Sequence, residues 1–64
     1  MRAEVIPAKR GSMTSIWIYP GNGKSRILVA KFGKTDHGIR AKNAVVDDLD
    51  RRGYVIFQNG VMIT

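Results

Sequence analysis

The most regular hydrophobic pattern in this chain lies between Asp36 and Gly53. Ile39, Ala41, Val45, Val46 and Leu49 recur at spacings of about three, four and seven. At roughly 100° per residue that spacing gathers them on one side of a helix. Arg40, Asn43, Asp47, Asp50 and Arg51 fall on the other side. Asp36 is placed to cap the start, because its carboxylate accepts a free amide hydrogen bond from the first turn. Gly53 is placed to stop the helix, since glycine enters the left-handed conformation without steric cost. Asp47 with Arg51, and Asp48 with Arg52, sit four apart with the acid first, the order an exposed helix prefers. Lys42 falls inside the apolar arc, where its stem can lie along the surface and its ammonium reach water. Gly38 in the first turn and Asp50 near the negative end of the dipole work against the helix.

Strand patterns flank this element. Thr14 to Tyr19 and Arg26 to Phe32 are rich in β-branched and aromatic residues. Pro20-Gly21-Asn22-Gly23 separates them, and Asn22-Gly23 suits a two-residue hairpin turn, where both positions need positive φ. That turn predicts Tyr19 opposite Arg26, Ile18 opposite Ile27, Trp17 opposite Leu28 and Ile16 opposite Val29. Alternation then puts Ile16, Ile18, Ile27 and Val29 on one face. Met13, Trp17, Tyr19, Arg26, Leu28, Ala30 and Phe32 fall on the other. After Gly53, Tyr54 to Gln58 reads as a strand, Asn59-Gly60 as a second turn, and Val61 to Thr64 as the return strand. Phe57 would face Met62, and Ile56 would face Ile63. Ala3 to Ile6 reads either as a short strand closed by Pro7 or as a loose arm carrying Lys9 and Arg10.

The predicted fold is therefore α+β, one small domain over residues 1–64. It has an antiparallel sheet of four or five strands in ββαββ order, with one amphipathic helix packed on one face. The aliphatic hairpin face is expected under the helix. Trp17, Tyr19, Leu28 and Phe32 then stand uncovered beside Arg26, an apolar patch of the kind that marks a contact site.

Composition narrows the chemistry. A chain of 64 residues buries only roughly 60% of its unfolded surface, so its stability should be small unless it oligomerises. There is no cysteine and a single histidine, so neither a disulfide nor a metal site is expected, and no sequence feature calls for a cofactor. The apolar runs Ile16 to Tyr19 and Ile27 to Ala30 are too short to cross a bilayer, and Arg2, Glu4, Lys9 and Arg10 interrupt any signal-peptide core. A cytoplasmic protein with no membrane partner is expected. The formal net charge is +6, and it is uneven. Lys9, Arg10, Lys24, Arg26, Lys31, Lys34, Arg40 and Lys42 share their stretch with one acid, Asp36. Such a basic middle favours polyanions.

Gly23-Lys24-Ser25 ends like a phosphate-binding loop, but Ile18 stands where the leading glycine belongs and a strand follows, so a hairpin turn is the better reading. His37 has Asp36 beside it but no nucleophile placed with it, so no catalytic residue is assigned and no enzyme is expected. Trp17 and Tyr19 alternate with Lys24 and Arg26 around one hairpin, the mixture of stacking rings and phosphate-binding cations that sheet-face nucleic-acid binders use. The same rings would also suit a core or a dimer seam.

Arg10-Gly11-Ser12, a strand ending in Tyr19-Pro20, a glycine turn and a second strand before a helix resemble HicA-type RNA-cleaving toxins, although Met13 stands where those carry a histidine. A hairpin leading through Lys31-Phe32-Gly33 into a helix also resembles integrase arm-binding domains, which lay a three-stranded sheet in the DNA major groove. The expectation is a small basic nucleic-acid-binding regulator, homodimeric, with Lys9, Arg10, Trp17, Tyr19, Lys24, Arg26, Lys31 and Lys34 at the interface. The alternative is a protein-binding inhibitor or accessory factor of phage or mobile-element type. It would dock on a larger protein through the open sheet face or an edge strand.

Overall fold

In the computed structural model, which describes residues 1–7, 13–21 and 25–63, the N-terminal segment is a strand and not an arm. The element order is β1 (Arg2–Ile6), β2 (Thr14–Tyr19), β3 (Ile27–Phe32), α1 (Asp36–Arg51), β4 (Val55–Gln58) and β5 (Val61–Met62). They form one five-stranded sheet in the order β3-β2-β1-β4-β5. The α+β class with one helix is as expected. The order is βββαββ and not ββαββ, and the sheet is mixed and not antiparallel, because β1 and β4 run parallel.

The connections explain the parallel pair. β1, β2 and β3 alternate in direction, so β1 and β3 point the same way. α1 then carries the chain back across the sheet, and β4 enters on the far side of β1 in that shared direction. A tight turn reverses a strand, whereas a helical crossover returns it parallel. Pro7 lies just past the last β1–β2 pair, Ile6 with Ser15, at a position where a missing amide hydrogen costs no ladder bond.

One side of the sheet meets α1. Ala3, Val5, Ile16, Ile56 and the helical Leu49 form the buried cluster, and Ile18, Phe32, Val45, Val46 and Tyr54 pack around it. The aliphatic face does lie under the helix, centred on Ile16 and Ile18. Ile27, on the edge strand, is 53% exposed and contributes little. Likewise Ile39, at the start of the apolar arc, is 46% exposed, so the arc buries from its C-terminal half.

The β2–β3 register departs from the predicted one halfway along. Ile18 pairs with Ile27 and Trp17 with Leu28, as expected. A bulge then intervenes, and Ile16 pairs with Ala30, Ser15 with Lys31 and Thr14 with Phe32. Val29 is the extra residue. One inserted residue exchanges the faces of everything beyond it. Ala30 and Phe32 therefore turn to the helix side, correcting their place on the open face, and Lys31 turns outward. The Asn22-Gly23 turn and Thr64 lie outside the described residues. The second hairpin is as predicted: Asn59 and Gly60 have φ of 53° and 76°, Phe57 pairs with Met62, and the Ile63 amide donates to the Ile56 carbonyl at 2.8 Å.

The helix ends differ slightly from the pattern. Thr35, not Asp36, is the N-cap: its side-chain Oγ1 accepts from the Gly38 amide at 3.1 Å. Asp36 is the first helical residue, where its charge still faces the positive end of the dipole. Thr35→Ala is expected to cost about 0.5–2 kcal/mol in a urea melt, and Asp36→Ala clearly less. At the other end the Gly53 amide donates to the Asp50 carbonyl and the Tyr54 amide to that of Leu49, with Gly53 at φ 91°. That is a Schellman cap, and its usual apolar contact is present as Tyr54 packs on the cluster that holds Leu49. Of the two predicted ion pairs, Asp48 and Arg52 meet at 2.9 Å.

Gly38, unfavourable by propensity, has a packing reason. A Cβ there would run into the carbonyl oxygen of Gly33, in the link from β3. Gly38→Ala should therefore destabilise, although alanine favours a helix by about 1 kcal/mol over glycine. A melt in which Gly38→Ala gained stability would show that the link yields.

Candidate functional site

The helix covers one face of the sheet, so side chains of the opposite parity along β1, β2 and β4 form an open face. The register sets them in rows. Glu4 stands between Trp17 and Phe57, with Leu28 beyond Trp17 and Met62 beyond Phe57. One row over, Arg2 stands between Tyr19 and Val55. On the other side, Ser15 stands between Ile6 and Lys31. Three aromatic rings are thus brought together from β2 and β4, with β1 between them.

Both β2 rings carry a guanidinium. The Arg26 group lies 4.1 Å from the centre of the Trp17 ring, and the Arg2 group 4.2 Å from that of Tyr19. These separations are well within cation–π range, and the planar groups extend each ring into a charged platform. The indole Nε1 donates to Ser15 Oγ at 3.0 Å, which anchors the Trp17 ring to its own strand. The Tyr19 hydroxyl donates to Glu4 Oε2 at 3.5 Å, a long and therefore weak bond. Two open hollows flank the Glu4 row. One is lined by Arg2, Tyr19, Pro20, Val55 and Phe57, the other by Ile6, Ser15, Trp17, Arg26 and Lys31. Each combines a ring with at least one cation.

Of the residues singled out in the sequence, Trp17, Tyr19, Arg26 and Lys31 share this face, Lys31 only because of the β3 bulge. Lys34 is exposed in the bend before α1 and does not line either hollow. Lys9, Arg10 and Lys24 lie outside the described residues. The predicted face held Phe32, which packs instead against the core. Sequence reading missed Arg2, Glu4 and Phe57, all of which arrive from β1 and β4. For Arg2 and Glu4 the signal was the polar–apolar alternation Arg2-Ala3-Glu4-Val5, legible once the segment is taken as a strand; Phe57 joins them only because β4 pairs with β1.

No helix among the described residues is long and apolar enough to cross a membrane. No protein family, curated protein or solved structure matches this chain.

Proposed function

We propose that this chain is a nucleic-acid-binding regulator that holds a single strand across the open sheet face, acting as a binding module and not as an enzyme. The observation that carries the reading is the pair of arginine-topped rings, Trp17 with Arg26 and Tyr19 with Arg2, on the face of the sheet opposite α1. Aromatic and guanidinium planes stack bases regardless of sequence, and the cations among them hold phosphates. Net charge of +6 supplies the long-range attraction.

Spacing favours a single strand over a duplex. Trp17 and Tyr19 are two residues apart on one strand, about 6.8 Å. Successive bases in a duplex rise by about 3.4 Å, so neighbouring bases that occupy both rings must unstack. A base-paired helix resists that, whereas a loop or free strand yields. Titration of single- and double-stranded oligonucleotides of one sequence at low salt tests this. Tighter single-strand binding supports it, and no binding to either removes it.

A second reading rests on a different observation. Val61 and Met62 of the two-residue edge strand β5 are 62% and 60% exposed, an apolar edge open to another chain. A homodimer or a larger protein partner, the docking factor of phage or mobile-element type, would use it. Sedimentation at micromolar concentration with and without Val61→Lys separates these: a dimer that dissolves on this change assigns the edge to self-association.

A further inference from the structure

Four of the five acids in the chain, Asp36, Asp47, Asp48 and Asp50, lie on α1, across the sheet from the aromatic face. The fifth, Glu4, stands in the middle of that face between Trp17 and Phe57. A carboxylate on a surface that collects phosphates opposes its ligand unless it has a task of its own there. Glu4 is half-buried and accepts a hydrogen bond from the Tyr19 hydroxyl at 3.5 Å. It belongs to no ion pair among the described residues, and the Arg2 guanidinium lies over the Tyr19 ring instead. An ionised carboxylate offers about four acceptor sites and no donor. The Tyr19 bond takes up one of them, and the strand register sets the carboxylate between the Trp17 and Phe57 rings.

We infer that Glu4 reads the Watson–Crick edge of a guanine held on this face, accepting from N1–H and from the 2-amino group. The inference rests on the nucleic-acid reading above. Guanine is the one common base with two adjacent donors on that edge, and two parallel N–H groups meet the two oxygens of a carboxylate as a guanidinium does. Adenine and cytosine present one amino group beside a ring-nitrogen acceptor. Uracil and thymine present one N–H between two carbonyls, whose oxygens repel the carboxylate. Base edges are open to such reading in unpaired strands, which is the form the ring spacing selects. Trp17 or Phe57 supplies the stacking surface, and Arg2, Arg26 and Lys31 hold the backbone, so the acid is spared phosphate contact.

The test uses the intact chain and short oligouridines carrying one central guanosine, inosine, adenosine or uridine, followed by the fluorescence of the single tryptophan. The guanosine oligomer is expected to bind about tenfold or more tighter than the uridine one, as a hydrogen bond to a charged group allows. Inosine, which lacks only the 2-amino group, should fall between them. Glu4→Gln should abolish the guanosine preference and strengthen uridine binding, because the negative charge that opposes the uracil carbonyls and the phosphates has gone. Equal affinity for all four oligomers overturns the inference and leaves the nucleic-acid reading standing. A guanosine preference that survives Glu4→Gln also overturns it, since the base is then read elsewhere. No binding to any oligomer at low salt overturns both.

Discussion

Leu49→Ala is expected to lose about 2–5 kcal/mol of stability, which is most of what a chain of 64 residues holds. Leu49 is the buried residue of α1, 7% exposed, and it closes the cluster formed by Ala3, Val5, Ile16 and Ile56. Its carbonyl also accepts the Tyr54 amide in the cap, so the last turn of the helix is fixed to the sheet through one residue. The sheet beneath it presents Ala3 and Val5 on the central strand, which cannot move inward to fill the space without breaking pairs on both sides. The neighbouring Asp50→Ala should be neutral or slightly stabilising, because Asp50 is exposed near the negative end of the dipole. Urea melts of the two variants decide it. An unchanged midpoint for Leu49→Ala would mean that α1 does not pack as described.

The helix, the antiparallel pairing of β2 with β3 and the second hairpin were legible because their signals are local. Three-and-four periodicity, Asn59-Gly60 and Gly53 each act within a few residues of themselves. The N-cap shifted by one place because Thr35 and Asp36 are adjacent and both able to cap, and only backbone geometry chooses between them. The sheet's mixed character was not legible. The pairing of β1 with β4 joins residues about fifty apart, and nothing in Arg2 to Ile6 states which strand it will meet. The bulge was hidden for a different reason. Ile27 to Ala30 is apolar throughout, so no polar position records which face each residue takes. Lys31 and Phe32 carry the trace of it, since regular alternation from Ile27 would send the lysine under the helix and the aromatic ring outward. Half of the candidate face followed from one hairpin, and the other half depended on β1 and β4 being its neighbours.

Trp17→Ala and Lys31→Glu are expected to weaken single-strand binding in distinguishable ways. Loss of the indole removes a stacking surface and should cost about 1–3 kcal/mol. It leaves the charge count intact, because Arg26 remains nearby with its guanidinium merely freed from the ring. The dependence of affinity on salt should then keep its slope. Four to six phosphate contacts by the cations on and around this face predict a log–log slope of about −3 to −4 on a single strand. Lys31→Glu should flatten that slope by about one unit and weaken all sequences alike, since a phosphate contact carries no base information. The two changes also part in stability. Trp17 is half-buried and outside the buried cluster, so its loss should move the melting temperature far less than Leu49→Ala does. If Trp17→Ala instead lowered the melting temperature strongly and left oligonucleotide affinity unchanged, the ring would belong to a packing seam. The open face would then have to be assigned to a protein contact. Titrations of both variants at three salt concentrations, paired with thermal melts, measure all of these quantities on the same preparations.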